Sequence, residues 1–555
     1  MDTVTIPANP SRDLRRLPRS QGKFISHVLT LITGTGLAQV INVLGTLVLA
    51  RFFAPDEFGS FALFASLVSF LSVLGGARYE LAVMLPEEDQ EAANILFLAV
   101  LVLLGISGMS LAVVAVFHSS MARHLGDERL RVWLWGLPLA LFVNGLYQVL
   151  SLWYGRMKRF RRVATARVCQ SLGVVAGQLG LLAIRPGAFA LIAGWILGQS
   201  LGTLILVFQI IYFDGGFLLA ARDWAMIRQA AVKYRNFPAY KAPNSFISNA
   251  TSQLVVVILR LFSNLDVVGL YSMAARAVYL PVSLIASSMN DVFYEKAATE
   301  IKHGRLESFV TRLLRIQVVL AAPLLVLIAF DARLIFGFAL GSKWVQAGTY
   351  AAILAFASFL YFLTSWLDRL FDVRGRQKLS LILETGGNAA SIGGLALALW
   401  WRPQQAVLGV TVYAAVQVLY TSIWLIIAYR VAGFHPGALK SLLRDAAVSL
   451  VSSAAVVGAI HFALRGWPAF LASALAVSCI VAFTFFKYVR ANLPASAFTR
   501  TNSMEALSGG DEDEEFRRAQ PNQAENPFPS LYPARCGKED PVSEEQAKRI
   551  AANGL

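Results

Sequence analysis

The chain has 555 residues, 56% hydrophobic and only 15% charged, with a formal net charge of +15. A soluble protein of this length carries about a quarter charged residues, so an ordinary soluble enzyme is excluded and a polytopic membrane protein is indicated. The basic excess sits in short clusters between apolar runs rather than on one soluble face, which excludes nucleic acid as the partner and assigns the charge to membrane orientation.

Residues 1–23 form a cytoplasmic basic N-terminus with Arg12, Arg15, Arg16, Arg19 and Lys23. The apolar run behind it is too long for a signal-peptide core and reads as an uncleaved first span. Segments 24–50, 58–77, 93–117, 131–154, 164–184 and 188–213 build an N-lobe over 24–213. A cytoplasmic linker at 214–242 follows, and its "ARDWAMIRQAAVKYRNFPAYK" suits either an interfacial amphipathic helix or a solvent-exposed one. Segments 243–263, 266–291, 308–330, 345–368, 379–400 and 405–430 build a C-lobe over 243–431. A last pair, 445–464 and 467–488, lies within 432–489, and 490–555 reads as a disordered cytoplasmic tail. Each apolar run is near the length needed to cross about 30 Å of hydrocarbon as helix. The expected fold is therefore an all-α polytopic membrane protein of about 14 transmembrane helices, two parallel six-helix lobes plus two C-terminal helices.

Lys and Arg before the tail total 29 on one side of this layout and 10 on the other. The bias places the N-terminus inside, and an even number of spans brings the C-terminus back to the cytoplasm. The three cysteines, Cys169, Cys479 and Cys536, have no ligand or disulfide spacing.

The stretch "LARFFAPDEFGSFALFASL" at 49–67 has a counterpart in "ILRLFSNLDVVGLYSMAARAV" at 258–278. Each ends an apolar run with Arg-x-Phe (Arg51, Arg260), turns through an acidic residue (Asp56, Asp266) and meets a glycine followed by an aromatic (Gly59, Gly269). Tyr79-Glu80 and Tyr294-Glu295 close the two hairpins. The repeat lies six spans apart, which gives parallel halves related by an axis along the membrane normal, an arrangement suited to alternating access. Locally, Pro55 stops the first helix, Asp56 is placed to cap the second, and Glu57 suits its positive first turn.

"LARFFAPDEFGSFALFAS" followed by "ARYELAVMLPEEDQEAANILFLAV" resembles the amino-terminal signature of the polysaccharide, or Wzx-type, oligosaccharide flippases. These belong to the multidrug/oligosaccharidyl-lipid/polysaccharide exporter superfamily. The resemblance implies a multi-pass protein of the bacterial inner membrane that moves undecaprenyl-diphosphate-linked oligosaccharide from the cytoplasmic to the periplasmic leaflet. It also implies membrane lipids, that lipid-linked glycan, and a polysaccharide polymerase and co-polymerase as partners. No cofactor is implied beyond coupling to an H+ or Na+ gradient. The acidic "SGGDEDEEFRR" of the tail has no counterpart in the pattern.

Such a cargo needs a cationic, water-filled cavity and a lateral opening for the lipid. A charge inside an apolar helix is costly unless it faces a cavity. Arg276 is the leading candidate, with a guanidinium able to grip phosphate oxygens in pairs; snorkelling or pairing with a carboxylate is the structural alternative. Arg78 is placed to capture a diphosphate at the inner end of the second helix, or to form a local arrangement with Glu80. Glu384 either binds the coupling ion or neutralises Arg276. Gln39, Asn42, Asn144, Gln148, Asn249 and Gln253 line a polar cavity or hydrogen-bond helix to helix. Arg51 and Arg260 suit helix C-termini, and Asp368-Arg369 reads as an interfacial pair. A glycan polymerase or ligase fits less well because the outer loops are short; His118 and His124 in the longest of them read as solvated. A peptidoglycan-lipid flippase shares the anionic-cargo logic, whereas a drug/cation antiporter of the same superfamily would favour acidic sites. No catalytic or metal residue is assigned.

Overall fold

The computed structural model describes residues 19–124, 130–302, 304–368, 370–371 and 374–492. The basic N-terminus before residue 19 and the tail from 493 lie outside them, as does Arg369.

Among the described residues, fourteen helices of 20 residues or more fall on the fourteen apolar segments. They are α1 (Arg19–Phe52), α2 (Pro55–Gly75), α3 (Asp89–His124), α4 (Leu137–Arg156), α5 (Phe160–Ile184), α6 (Ala188–Ala221) and α7 (Ala242–Phe262). The series continues with α8 (Leu265–Lys302), α9 (Leu306–Leu340), α10 (Val345–Thr364), α11 (Gln377–Trp401), α12 (Ala406–Ala432), α13 (Pro436–Ala463) and α14 (Trp467–Asn492). Among the described residues, eleven helical stretches are long and apolar enough to cross a membrane, and Thr251–Phe262 is a shorter apolar helix. The chain is an all-α polytopic membrane protein. α8 and α11 are not among the eleven; in α11, Glu384 and Asn388 interrupt the apolar sequence, and both line the central cavity.

Helices α1–α6 pack chiefly among themselves, as do α7–α12, and the two groups meet where α2 lies along α7 and α8 and where α1 touches α9. The repeated glycines sit at this crossing. A Cβ on Gly59 would overlap the Leu265 carbonyl and come 3.2 Å from Gly269 N; one on Gly269 would overlap the Pro55 carbonyl and come 3.0 Å from Gly59 N. The two halves of the sequence repeat thus touch each other backbone to backbone.

Their capping differs from expectation. Ala54 is the N-cap of α2 with Pro55 in its first turn, and Glu57 rather than Asp56 reaches back, its Oε2 accepting the Ala54 N–H at 2.7 Å. In α8, Asn264 just ahead of the helix accepts the Val267 N–H at 3.0 Å. A residue inside the first turn cannot bend its short side chain onto the orphan donors ahead of it, whereas one at the N-cap or three residues later can.

α6 runs to Ala221, further than its hydropathy suggests, because Asp214 is neutralised by Arg159 at 2.6 Å. The linker contains one amphipathic helix, Trp224–Lys233, which packs on the start of α3. Asn94 donates to Ala221 O and accepts from Asp223 N, both at 2.9 Å. Lys233 pairs with Glu91 at 2.6 Å, and the Tyr79 hydroxyl donates to Ala231 O at 3.0 Å. Ile227 is buried while Trp224 and Val232 stay exposed, an apolar outer rim that fits the interfacial alternative.

α13 lies parallel to α9, tied to it twice. Arg315 pairs with Asp445 at 2.7 Å and His461 with Asp331 at 3.1 Å, sixteen residues further along on both helices. Asp331 is 3% exposed, so His461→Leu leaves a buried carboxyl group without this hydrogen-bond partner. The expected loss is about 1–3 kcal/mol, read as a lower thermal midpoint in detergent. Adding Asp331→Leu should recover most of it.

Candidate functional site

Between the two helix groups lies a cavity of about 900 Å³. Gln39 of α1, Gln253 of α7, Arg276 of α8 and Glu384 of α11 all line it, joined by Asp368, Asn388 and Gln417. Four of the residues singled out from sequence therefore meet in one place. A second chamber of about 510 Å³ runs between α1 and α5 on one side and α8 and α9 on the other. Its wall is mostly apolar, with Val43, Leu47, Val175, Ile335 and Phe336, punctuated by the carboxamides of Asn42, Gln170, Gln178 and Gln199. Gln39 and Arg276 line both chambers.

Arg276 reaches this junction because Ser272, Arg276 and Tyr279 occupy one stripe of α8 at i, i+4 and i+7. Among the described residues it has no hydrogen bond and no ion pair, to Glu384 or to any other group, and its side chain is exposed to the cavity. A guanidinium free of protein acceptors keeps its five donors for a ligand. Glu384 likewise has no described partner. Asp368 accepts from the Ser380 hydroxyl, one helical turn before Glu384, and lines the cavity; its expected partner Arg369 lies outside the described residues.

The lining corrects the expectation of a cationic cavity. Its charged residues, among those described, are one arginine and two carboxylates. The neutral part of the wall carries five tyrosines, Tyr271, Tyr279, Tyr361, Tyr413 and Tyr420, with the Tyr279 and Tyr361 rings edge to face at 6.3 Å. Sequence reading missed these, although Tyr413, Gln417, Tyr420 and Trp424 stand at i, i+4, i+7 and i+11 and so mark one face of α12.

The remaining candidates lie elsewhere. Asn42 donates to Ser171 Oγ at 3.2 Å, binding α1 to α5 at the edge of the smaller chamber. Asn249 donates to Ser69 O at 2.8 Å and bridges α7 to α2. Asn144 donates to Ala140 O in its own helix. Gln148 lines neither chamber.

Arg78 stands beyond the end of α2, outside both chambers, in a left-handed conformation (φ 63°) next to Ala77 at φ 46°. Two adjacent non-glycine residues there mark local strain. Its Nη1 lies 3.5 Å from Glu80 Oε1, a long contact, and Glu80 is 4% exposed. Burial pushes the Glu80 carboxyl above its ordinary range despite the attraction of Arg78. A folded-state value raised above the unfolded one, about 4.3, means that the favourable contribution is full below that pH and is lost as pH rises through the folded value. Glu80→Gln should therefore be the more stable protein at pH 7, and its advantage should shrink toward pH 4 in thermal melts.

The sequence profile described as polysaccharide biosynthesis protein matches residues 48–349. The succinoglycan biosynthesis transport protein ExoT of Rhizobium meliloti (strain 1021) is 26% identical over 322 residues. That alignment covers 56% of this chain and 60% of the relative's length. Among solved structures, the lipid II flippase MurJ in an inward closed conformation superposes with a TM-score of 0.64 at 13% identity, covering 83% of this chain and 99% of that one. An inward-facing multidrug resistance MATE family transporter of the MOP superfamily gives 0.52 at 14% identity, covering 72% and 99%. At such identities these two speak to the fold. With a profile match over more than half its length, the chain belongs to the polysaccharide biosynthesis protein family.

Proposed function

We propose that the protein is a flippase for undecaprenyl-diphosphate-linked oligosaccharide repeat units, carrying them by alternating access across the bacterial inner membrane for surface polysaccharide assembly. The N- and C-termini face the cytoplasm in this reading, and transport runs toward the periplasmic leaflet. The observation that carries it is Arg276, a guanidinium without a described partner at the junction of the two chambers. It holds the diphosphate, whose oxygens accept paired charge-assisted hydrogen bonds. The larger chamber, with its tyrosines and the amides of Gln39, Gln253, Asn388 and Gln417, receives the sugars. The smaller, apolar chamber gives the lipid chain a passage to the bilayer. Arg78, at the inner rim, makes the first contact with the arriving headgroup.

The two cavity carboxylates oppose an anionic ligand unless they are neutralised. Glu384, with Asp368 beside it, takes up H+ or Na+ as the diphosphate binds, which ties cargo movement to an ion gradient. Glu384→Gln is then expected to bind cargo with little dependence on pH or Na+ and to lose gradient-driven accumulation, measured in proteoliposomes with and without an imposed gradient.

The same excess of carboxylates favours a second reading, an antiporter for organic cations. Reconstituted protein separates the two. Protection of a fluorescent lipid-diphosphate glycan from an external quencher should be lost only in vesicles containing the protein, and an organic-cation dye should not be moved. Dye movement with no change in glycan protection supports the antiporter.

A further inference from the structure

At the end where α2 and α8 begin, the two helix groups exchange hydrogen bonds at the edge of the smaller chamber, which Ala339 lines. We propose that the C-terminus of α1 and the turn between α9 and α10 form a reciprocal latch that holds this end shut, and that its release opens the cavity there. The proposal rests on the alternating-access reading above.

Every α-helix leaves its last carbonyls without intrahelical donors, and here each helix's are capped by the other group. Arg51 Nε donates to Ala339 O at 3.2 Å, and its Nη2 donates to Phe338 O, both in the final turn of α9. In return Lys343 Nζ donates to Arg51 O at 3.1 Å and Trp344 Nε1 to Ala50 O at 2.8 Å, both in the final turn of α1. Gly341, at φ 109°, turns the chain back so that Lys343 and Trp344 face α1, a conformation that L side chains rarely adopt.

The chemistry suits closure that must be undone in each cycle. Arg51 and Lys343 are exposed, so water can replace their bonds at small net cost. The buried Trp344 ring stands edge to face with Phe58 at 5.2 Å and seals the space behind them. Arg260, the counterpart of Arg51, donates to Ser263 O in its own turn at 2.8 Å.

The test uses full-length protein with Cys169, Cys479 and Cys536 replaced by serine and Ala275→Cys as a reporter on the cavity wall. A membrane-impermeant maleimide is applied separately to each face of oriented vesicles. Trp344→Phe keeps the ring against Phe58 and removes only the donor, so labelling from the latch face should rise about fivefold. The pair Arg51→Gln and Lys343→Gln should raise it further, with labelling from the other face equal or lower. Unchanged labelling from the latch face in that pair, at normal protein level, overturns the latch. The readout needs no cargo: a latch-dependent change in a protein that moves no lipid-linked glycan supports the latch and removes the cargo assignment.

Discussion

Arg276→Ala should lower export of surface polysaccharide by at least about 100-fold at normal protein level. Two charge-assisted hydrogen bonds to a diphosphate contribute about 1.5–3 kcal/mol each, and the described lining offers no second cation to replace them. Arg276→Glu should be at least as severe, because it adds a third carboxylate beside Asp368 and Glu384. Arg276→Lys separates charge from geometry. It retains the cation but not the planar fork, so partial export is expected, with weaker binding of the lipid-linked cargo. Full export in both the alanine and glutamate variants would remove Arg276 from the site.

The second large effect is expected where the repeat closes on itself. Gly59→Val and Gly269→Val each drive a side chain into backbone of the opposing helix, which cannot rotate aside as a flexible side chain can. Overpacking of this kind costs typically about 1–3 kcal/mol, and more when backbone is the obstacle. The closed end should part or the fold should weaken, seen as a lower thermal midpoint together with lost export. Gly105→Ala on α3 is the control, since no atom lies within 4 Å of the added Cβ. It should be neutral or slightly stabilising, as an alanine is in a helix interior.

Much of this architecture is legible in the sequence. Apolar runs located the fourteen long helices, and among the described residues eleven of these hold stretches long and apolar enough to cross hydrocarbon. Arg276 was legible for the converse reason: a charge in such a run is too costly to be incidental. Asp331 and His461 were not. They fall just beyond or near the ends of apolar runs, where a charge reads as interfacial, and only the parallel packing of α13 on α9 brings them together. The tyrosines escaped notice because an aromatic in a membrane helix has many uses, and their stripes gain meaning once five converge on one cavity. The repeat was visible as matched residues, but nothing in the sequence says that Gly59 and Gly269 touch.

The claim that the protein flips a lipid-linked glycan is tested most directly by leaflet sidedness of that glycan in a deletion strain. Cells with a permeabilised outer envelope and an intact inner membrane, and lysed cells, are treated with a glycan-cleaving enzyme that cannot cross the inner membrane. The account predicts that lipid-linked repeat units accumulate protected in intact, permeabilised-envelope cells and become cleavable on lysis, with restoration by the wild-type chain and not by Arg276→Ala. Lipid-linked repeat units that are fully cleavable from the periplasmic side in the deletion strain would contradict it.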